Sequence, residues 1–510
     1  MLLRPVLFLH RWLGIVVGLL MTIWCLSGFV MMYVDYPRLL PAEQLQGLAP
    51  LQLPDAARLD HVDLPPALSL SRASIEMMAD RPVLRIAPAM GADRSIEQMR
   101  ITANRFDLAT GAALEHVPYP ELRKVAATFG QYSAIHGGVG ALKETSIDQW
   151  NVQAHGMNAP LFRADYADRA GTQVYIAAAS GEVVQQTTRA ERFWGWLGAV
   201  PHWLYPTLLR QNGPLWVQVV IWTSLTGCFL TLTGLWAGVA RLRRKREGGI
   251  GSPFRGIWWW HHIFGLWFGV LTLTWVASGL FSMNPWGFLG SMAGYTESRQ
   301  LAGRMDWASV REAFAARPRL PEDTVRLDAA PLRGRIYLTA TTRSGRIVRF
   351  DDAGRPAPLD RAALTKALAY VGPLSRLDLL TEEDGYYYKH KYEVKLPVWR
   401  AILANPQATR LYIDPDSGTL IRAIDREGRR FRWLMNGLHS LDLPGLRTRP
   451  LWDLVVLPLL AMVTLVCATG TWMGIGKLRR DARRWRRRRR RAAEDRLKAR
   501  SKATPRPASP

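Results

Sequence analysis

Hydrophobic and polar positions segregate sharply along this chain. Four apolar runs stand out: Trp12–Val34, Leu215–Ala240, Trp258–Met283 and Trp452–Gly476. Each exceeds the roughly 20 residues that a helix needs to cross the hydrocarbon core of a bilayer. The first run is too long for the apolar core of a signal peptide. It continues into Tyr33-Val34-Asp35-Tyr36-Pro37 with no small-residue cleavage site, and reads as an uncleaved anchor. Between the first and second runs, and between the third and fourth, the pattern changes to short alternations. Val174–Gln186 and Leu411–Ala423 each place β-formers on both sides of a Ser-Gly, a hairpin signal. Arg105–Val117 around Thr110-Gly111 and Arg335–Phe350 around Ser344-Gly345 read the same way. Leu301–Ala316 reads as helical and Leu39–Leu70 as an extended connector. Phe193–Leu209 is apolar and aromatic but broken by Pro201 and Pro206, which predicts an interfacial helix pair and not a fifth span.

The predicted fold is an α-helical membrane bundle of four transmembrane helices with two external α+β domains. Its divisions are 1–35 (first helix), 36–190 (first external domain), 191–213 (interfacial segment), 214–240 (second helix) and 241–257 (basic loop). The rest divides into 258–283 (third helix), 284–430 (second external domain), 431–450 (interfacial segment), 451–476 (fourth helix) and 477–510 (basic tail).

The bundle reads as a duplicated two-helix unit. From His10 and from His261, a glycine follows at +4 (Gly14, Gly265) and at +8 (Gly18, Gly269), and Ser-Gly at +17 and +18 (Ser27-Gly28, Ser278-Gly279). His202 precedes Pro214-Leu215-Trp216 and a helix ending in Gly234-Leu235-Trp236. His439 precedes Pro450-Leu451-Trp452 and a helix ending in Gly470-Thr471-Trp472.

Charge orients these elements. The formal net charge is +25, which invites a nucleic-acid reading. Arg4 with Arg11, the loop Arg241–Arg255 and the tail from Lys477 hold 24 Lys and Arg against four acids, and so supply +20 of it. If each run crosses once, all three segments fall on one side, as the positive-inside rule requires of the cytoplasmic face. The long segments are then external. The arginine run Arg486–Arg491 is expected to lie on anionic lipid head groups, and no nucleic-acid partner is expected. Cys25, Cys228 and Cys467 all fall inside apolar runs, so there is no disulfide framework, and they are expected to be small packing residues. Of the 21 tryptophans, Trp194, Trp196, Trp203, Trp216, Trp258, Trp259, Trp260, Trp452 and Trp472 fall near predicted helix ends, where an aromatic belt accounts for them.

Ionisable residues beside membrane helices are costly unless they work. One histidine at an interface usually meets a phosphate or a carbonyl. Four in matching positions of two copies favour haem iron, which takes two axial imidazoles from opposite faces. His10 and His261 are placed at the cytoplasmic edge, His202 and His439 at the external edge, with one haem near each face. His262 competes with His261, and the +4 glycine favours His261. His136, His155 and His390 are external candidates for binding an iron chelate or flanking the outer haem. His61 and His116 have no informative context.

The residues that carry the repeat also carry a resemblance. His10-Arg11-Trp12-Leu13-Gly14 with Ser27-Gly28, the stretch from His202 through Gly213 to Gly234-Leu235-Trp236, and His261 to Gly265 with Ser278-Gly279 resemble the PepSY-associated transmembrane family of bacterial inner-membrane proteins. The hairpin Asp414-Pro415-Asp416-Ser417-Gly418 resembles the close of a PepSY module, which makes the external domains PepSY-like and periplasmic. The first copy departs from this, with Ala177-Ala178-Ala179 in place of the acidic turn. Members similar in layout include ferric-siderophore reductases carrying b-type haem. The resemblance therefore implies an inner-membrane di-haem electron-transfer protein, with haem b as cofactor and a ferric siderophore as periplasmic acceptor. It leaves open a peptidase-binding PepSY sensor without redox activity, and an accessory permease of metal uptake. Against the permease, no carboxylate lies at mid-span, Asp453 being at the outer end of its run.

No Gly-rich dinucleotide fingerprint, Walker motif, HExxH or nucleophile elbow occurs. NAD, flavin and ATP sites are not expected, so the electron donor would be a membrane quinol or a separate cytoplasmic protein.

Overall fold

The computed structural model describes residues 3–54, 58–89, 104–244 and 248–503. Parts of the predicted basic loop (245–247) and of the basic tail (504–510) lie outside them. Helix α1 covers Leu3–Met31. It starts well before the apolar run because its one breaker, Pro5, falls in the first turn, where proline is tolerated. His10 therefore lies inside the helix and not at its edge.

The segment after α1 forms β1 (Leu70–Met78), β2 (Arg81–Pro88) and the short β3 (Arg105–Asp107). The hairpin expected at Arg105–Val117 is reduced to β3 and one bridge, Phe106 to Ala113. Helix α2 (Tyr119–Tyr132) follows, then β4 (Val139–Thr145), β5 (Leu161–Tyr166), β6 (Gln173–Ala177) and β7 (Val183–Thr187), a four-stranded antiparallel sheet in chain order. Two short helices, α3 (Arg189–Leu197) and α4 (Ala199–His202), lead to α5 (Gly213–Arg241). After a two-stranded turn, β8 (Arg243–Arg244) with β9 (Ile250–Gly251), comes α6 (Ile257–Ser282).

The predicted helix Leu301–Ala316 is two helices, Tyr295–Ala302 and α7 (Trp307–Ala315). They are divided at Gly303, whose φ of 73° a helix cannot contain. Strands β10 (Thr324–Leu332), β11 (Arg335–Thr342) and β12 (Ile347–Phe350) come next, then α8 (Arg361–Leu368). A second four-stranded antiparallel sheet in chain order follows: β13 (Leu374–Leu380), β14 (Val398–Leu403), β15 (Arg410–Ile413) and β16 (Leu420–Ile424). Helix α9 (Arg426–Arg432) and a π turn (Trp433–Gly437) lead to α10, which runs unbroken from Leu451 to Ala503. The basic tail is thus a continuation of the fourth span, since Ala, Arg, Glu and Lys extend a helix as well as apolar residues do.

The two long segments between the spans meet in one sheet. Its order is β12-β11-β10-β1-β2-β3, and β1 pairs antiparallel with β10 through Ser74–Asp328, Ile75–Leu327 and Glu76–Arg326. Buried Glu76 rivets the junction, accepting from Arg85 of β2 at 2.7 Å and Arg326 of β10 at 2.9 Å. Helix α7 covers this sheet, packing Trp307, Val310 and Phe314 on Ile75, Leu84, Leu327 and Leu338. Helix α2 covers the first four-stranded sheet with Leu122, Ala126 and Phe129, and α8 the second with Leu364 and Leu368.

Helices α1, α5, α6 and α10 are the four that are long and apolar enough to cross a membrane. Helix α1 packs against α5 and α10, and α6 against the same two, so α1 and α6 face each other across the bundle. The outward faces stay apolar: Trp267 is 78% exposed and Val16 74%. Such surface is stable against lipid and not against water.

Candidate functional site

The bundle brings the four predicted histidines together as two pairs. His10 of α1 and His261 of α6 meet across the bundle axis, with ring centres 6.3 Å apart and planes inclined at 37°. His202, the last residue of α4, meets His439, which follows the π turn, with ring centres 6.0 Å apart and planes at 72°. Neither pair is stacked.

Every one of the four rings is held in the same way. His10 Nδ1 bonds the Leu230 carbonyl of α5 at 3.0 Å, and His261 Nδ1 the Val466 carbonyl of α10 at 3.1 Å. His202 Nδ1 bonds the Trp24 carbonyl of α1 at 3.1 Å, and His439 Nδ1 the Trp275 carbonyl of α6 at 3.2 Å. A carbonyl only accepts, so each Nδ1 carries the hydrogen and each Nε2 keeps its lone pair. Among the described residues no hydrogen bond engages any of these four Nε2 atoms. Fixing Nδ1–H on a carbonyl is how proteins orient an imidazole that ligates metal through Nε2. Loss of surrounding water and the neighbouring His439 push His202 down to about 4, and loss of water also lowers His439, so both are neutral near pH 7.

The repeated motifs supply the surroundings. Ser27 Oγ and Ser278 Oγ each donate to the carbonyl three residues back, at 3.0 Å, and accept from the outer histidines at 3.1 Å. The +17 serines of α1 and α6 thus serve the outer pair. Gly234 and Gly470 serve the inner one. A Cβ on Gly234 would lie 2.7 Å from His10 Cε1, and one on Gly470 2.9 Å from His261 Cε1. Gly14 and Gly265 are under no such constraint, with nothing closer than 3.7 Å to an added Cβ. The Pro-Leu-Trp repeat also has a use. Trp216 Nε1 donates to the Trp203 carbonyl at 3.0 Å and Trp452 Nε1 to the Ser440 carbonyl at 2.8 Å, each tying down the residue after an outer histidine. Sequence reading marks all these residues as repeats but assigns them no contact, because the histidines and loop carbonyls they serve lie on other elements.

The segments that deliver the outer histidines start from capped helices. Thr188 and Glu191 form a capping box on α3, and the Asp425 side chain accepts from Gly428 N on α9, each cap contributing about 1 kcal/mol. The indole N–H groups of Trp24 and Trp275, beside the carbonyls that hold the outer pair, are buried without a partner.

The other candidates stay apart. Both nitrogens of His262 are engaged, Nε2 with the Gly238 carbonyl and Nδ1 with Ser252 Oγ, both at 2.9 Å. It ties the loop to α5 and has no lone pair free. His390 Nδ1 pairs with Asp442 Oδ2 at 3.1 Å. His155 is half-buried in the short helix Val152–Asn158, and His136 is exposed ahead of β4.

No protein with a curated description matches the chain. Residues 7–473, a span containing all four paired histidines, match the family described as the PepSY-associated TM region, so this chain is a membrane protein belonging to that family.

Proposed function

We propose that this protein is a b-type di-haem electron-transfer protein of the bacterial inner membrane that reduces a ferric siderophore on the periplasmic side. The observation that carries the reading is the spacing and tautomer of the histidine pairs. A metal–imidazole nitrogen bond is about 2 Å, so two imidazoles on opposite faces of one iron have ring centres roughly 6 Å apart. Both pairs have that separation and unengaged Nε2 atoms. Among the described residues no group of three or more His, Cys, Asp or Glu could hold a metal. An iron ligated by just two side chains leaves its other positions to a macrocycle.

Haem iron, if held at each pair, would supply one-electron redox chemistry. The chain's own residues do the rest. Leu230, Val466, Trp24 and Trp275 lock the tautomer, the glycines leave the imidazoles room, and the apolar bundle keeps water out. Trp24 lies 14 residues beyond His10 on α1, which sets the two levels about 21 Å apart along the helix. The basic loop and tail orient the inner pair to the cytoplasm, where quinol or a donor protein is met. The sheets stand in the periplasm as two PepSY-like copies of one unit, beside the outer pair. The family resemblance supplies the siderophore.

The test is a reduced-minus-oxidised spectrum with a haem-to-protein ratio. The expected result is two haems per chain, falling to one in H10A/H261A and to one in H202A/H439A. A protein with no reducible b-type band, or an unchanged band in the quadruple variant, overturns the reading.

A further inference from the structure

We propose that Cys25 and Cys467 form a reversible thiol–disulfide couple inside the membrane bundle. Cys25 lies on α1 and Cys467 on α10, and their Sγ atoms are 3.8 Å apart. They come from opposite ends of the chain and meet in an apolar cluster with Leu460, Val463, Phe268 and Trp275. The helices approach closely on this face. One turn away, the hydroxyls of Thr22 and Thr471 touch at 2.9 Å, and a Cβ on Gly18 would stand 3.3 Å from Thr471 Oγ1. A disulfide needs its sulfurs at about 2 Å. From the observed contact, that closure asks for small side-chain rotations and no rearrangement of the helices. The third cysteine, Cys228 on α5, makes no thiol contact among the described residues and serves as an internal control.

The position of the pair gives it a role. Cys25 follows Trp24, whose carbonyl holds His202, and Cys467 follows Val466, whose carbonyl holds His261. A bridge would fasten the helix that clasps the outer pair to the helix that clasps the inner one. In the step, the two S–H bonds break and one S–S bond forms, releasing two protons and two electrons. The oxidant, by class, is a lipid-soluble quinone, which takes both protons and both electrons and leaves as quinol. Cys467 is half-buried, the less enclosed of the two thiols. The apolar setting keeps out water-soluble glutathione, which reduces exposed cytoplasmic disulfides.

The inference stands on thiol geometry, and its experiment separates it from the haem reading. The full-length protein, with a protease site inserted in the 241–257 loop, is placed in lipid nanodiscs and treated with a short-chain quinone. Thiols are counted in denaturant, and the cleaved protein is run on a denaturing gel without reductant. The chain has three cysteines. The expected result is a fall from three thiols to one, and halves that stay linked until dithiothreitol is added. C228S should fall from two thiols to none. C25S and C467S, or the corresponding alanine variants if serine disturbs folding, should lose no thiols and release the halves. Three thiols remaining after both quinone and diamide treatment overturn the proposal, as does a link that survives C25S. A bridged protein without a haem band sinks the function alone; a haem-bearing protein that never bridges sinks this inference alone.

Discussion

The two histidine pairs use the same four helices in exchanged roles. The inner rings are carried by α1 and α6 and fastened to α5 and α10. The outer rings arrive just ahead of α5 and α10 and are fastened to α1 and α6. Their surroundings differ. Each inner ring lies against a glycine where no side chain fits. Each outer ring has a serine hydroxyl as second acceptor, and a Cβ on the next glycine, Gly28 or Gly279, would stand at an ordinary 3.9 or 3.8 Å from it. The inner pair is fastened between the spanning helices themselves, with the Thr469 hydroxyl of α10 also 3.2 Å from His261 Nδ1. The outer pair hangs from chain segments that descend from the sheets, so it should answer to whatever moves the sheets.

The largest effect expected from this contrast is steric. G234A and G470A would drive a methyl group to within 2.7 and 2.9 Å of an inner imidazole. Packed cores do not absorb such overlap without displacing something. Each variant should halve the haem-to-protein ratio by emptying the inner site, while the outer spectrum stays. G28A and G279A should retain both sites. Equal losses in the two sets would break the contrast.

Next in size is the rivet between the segments. His202 follows the first of the two domains and His439 the second, and these domains are joined where β1 pairs with β10. E76A leaves Arg85 and Arg326 without their shared carboxylate in a buried place. Removing one partner of a buried ion pair costs about 3–5 kcal/mol. Thermal melts followed by haem absorbance should lose the outer signal first. Simultaneous loss of both signals would show that the outer pair does not depend on the sheet. Smaller again is the loss of the serines. S27A and S278A each remove one hydrogen bond, worth about 0.5–1.5 kcal/mol, while the tryptophan carbonyl still fixes the tautomer. Haem dissociation from the outer site should quicken several-fold at unchanged inner rate, measured by transfer to apomyoglobin.

Much of this was legible in the sequence, and the limits have physical causes. The spans and three of the four hairpins follow from local periodicity, which a single sequence displays. Helix ends are less visible, because Arg4, Arg11 and the arginines after Lys477 are good helix formers that hydropathy counts as breaks. The pairing of β1 with β10 joins residues some 250 apart and leaves no local trace. The histidines were found because the repeat spaced them alike. What holds them was not, because Ser27 serves His202 and Gly234 serves His10, and contacts across a bundle have no sequence signature. Cys25 and Cys467 read as packing residues for the same reason.

The smallest effect lies in acid, and it separates the pairs again. Burial would raise the Asp384 carboxyl, but backbone N–H groups of Tyr386 and Tyr387, the Tyr412 hydroxyl and Arg400 all donate to it and hold it below the usual carboxylate range. A depressed folded value means stability that is fully present above the unfolded pKa, about 3.9, and lost as pH falls through the folded one. The next residue, Gly385, accepts from Arg432 Nε at 3.0 Å, and Arg432 ends the helix that leads to His439. Protonating Asp384 therefore loosens the support of the outer pair. Nothing comparable touches the inner pair, whose spans carry no mid-span carboxylate. As pH falls below about 4 the outer haem signal should fall before the inner one. D384N should be less stable near neutrality and lose that ordering, its outer signal no longer tracking pH in this window. If the wild-type protein lost both signals together and D384N behaved identically, the link from Asp384 through Gly385 and Arg432 to His439 would be wrong.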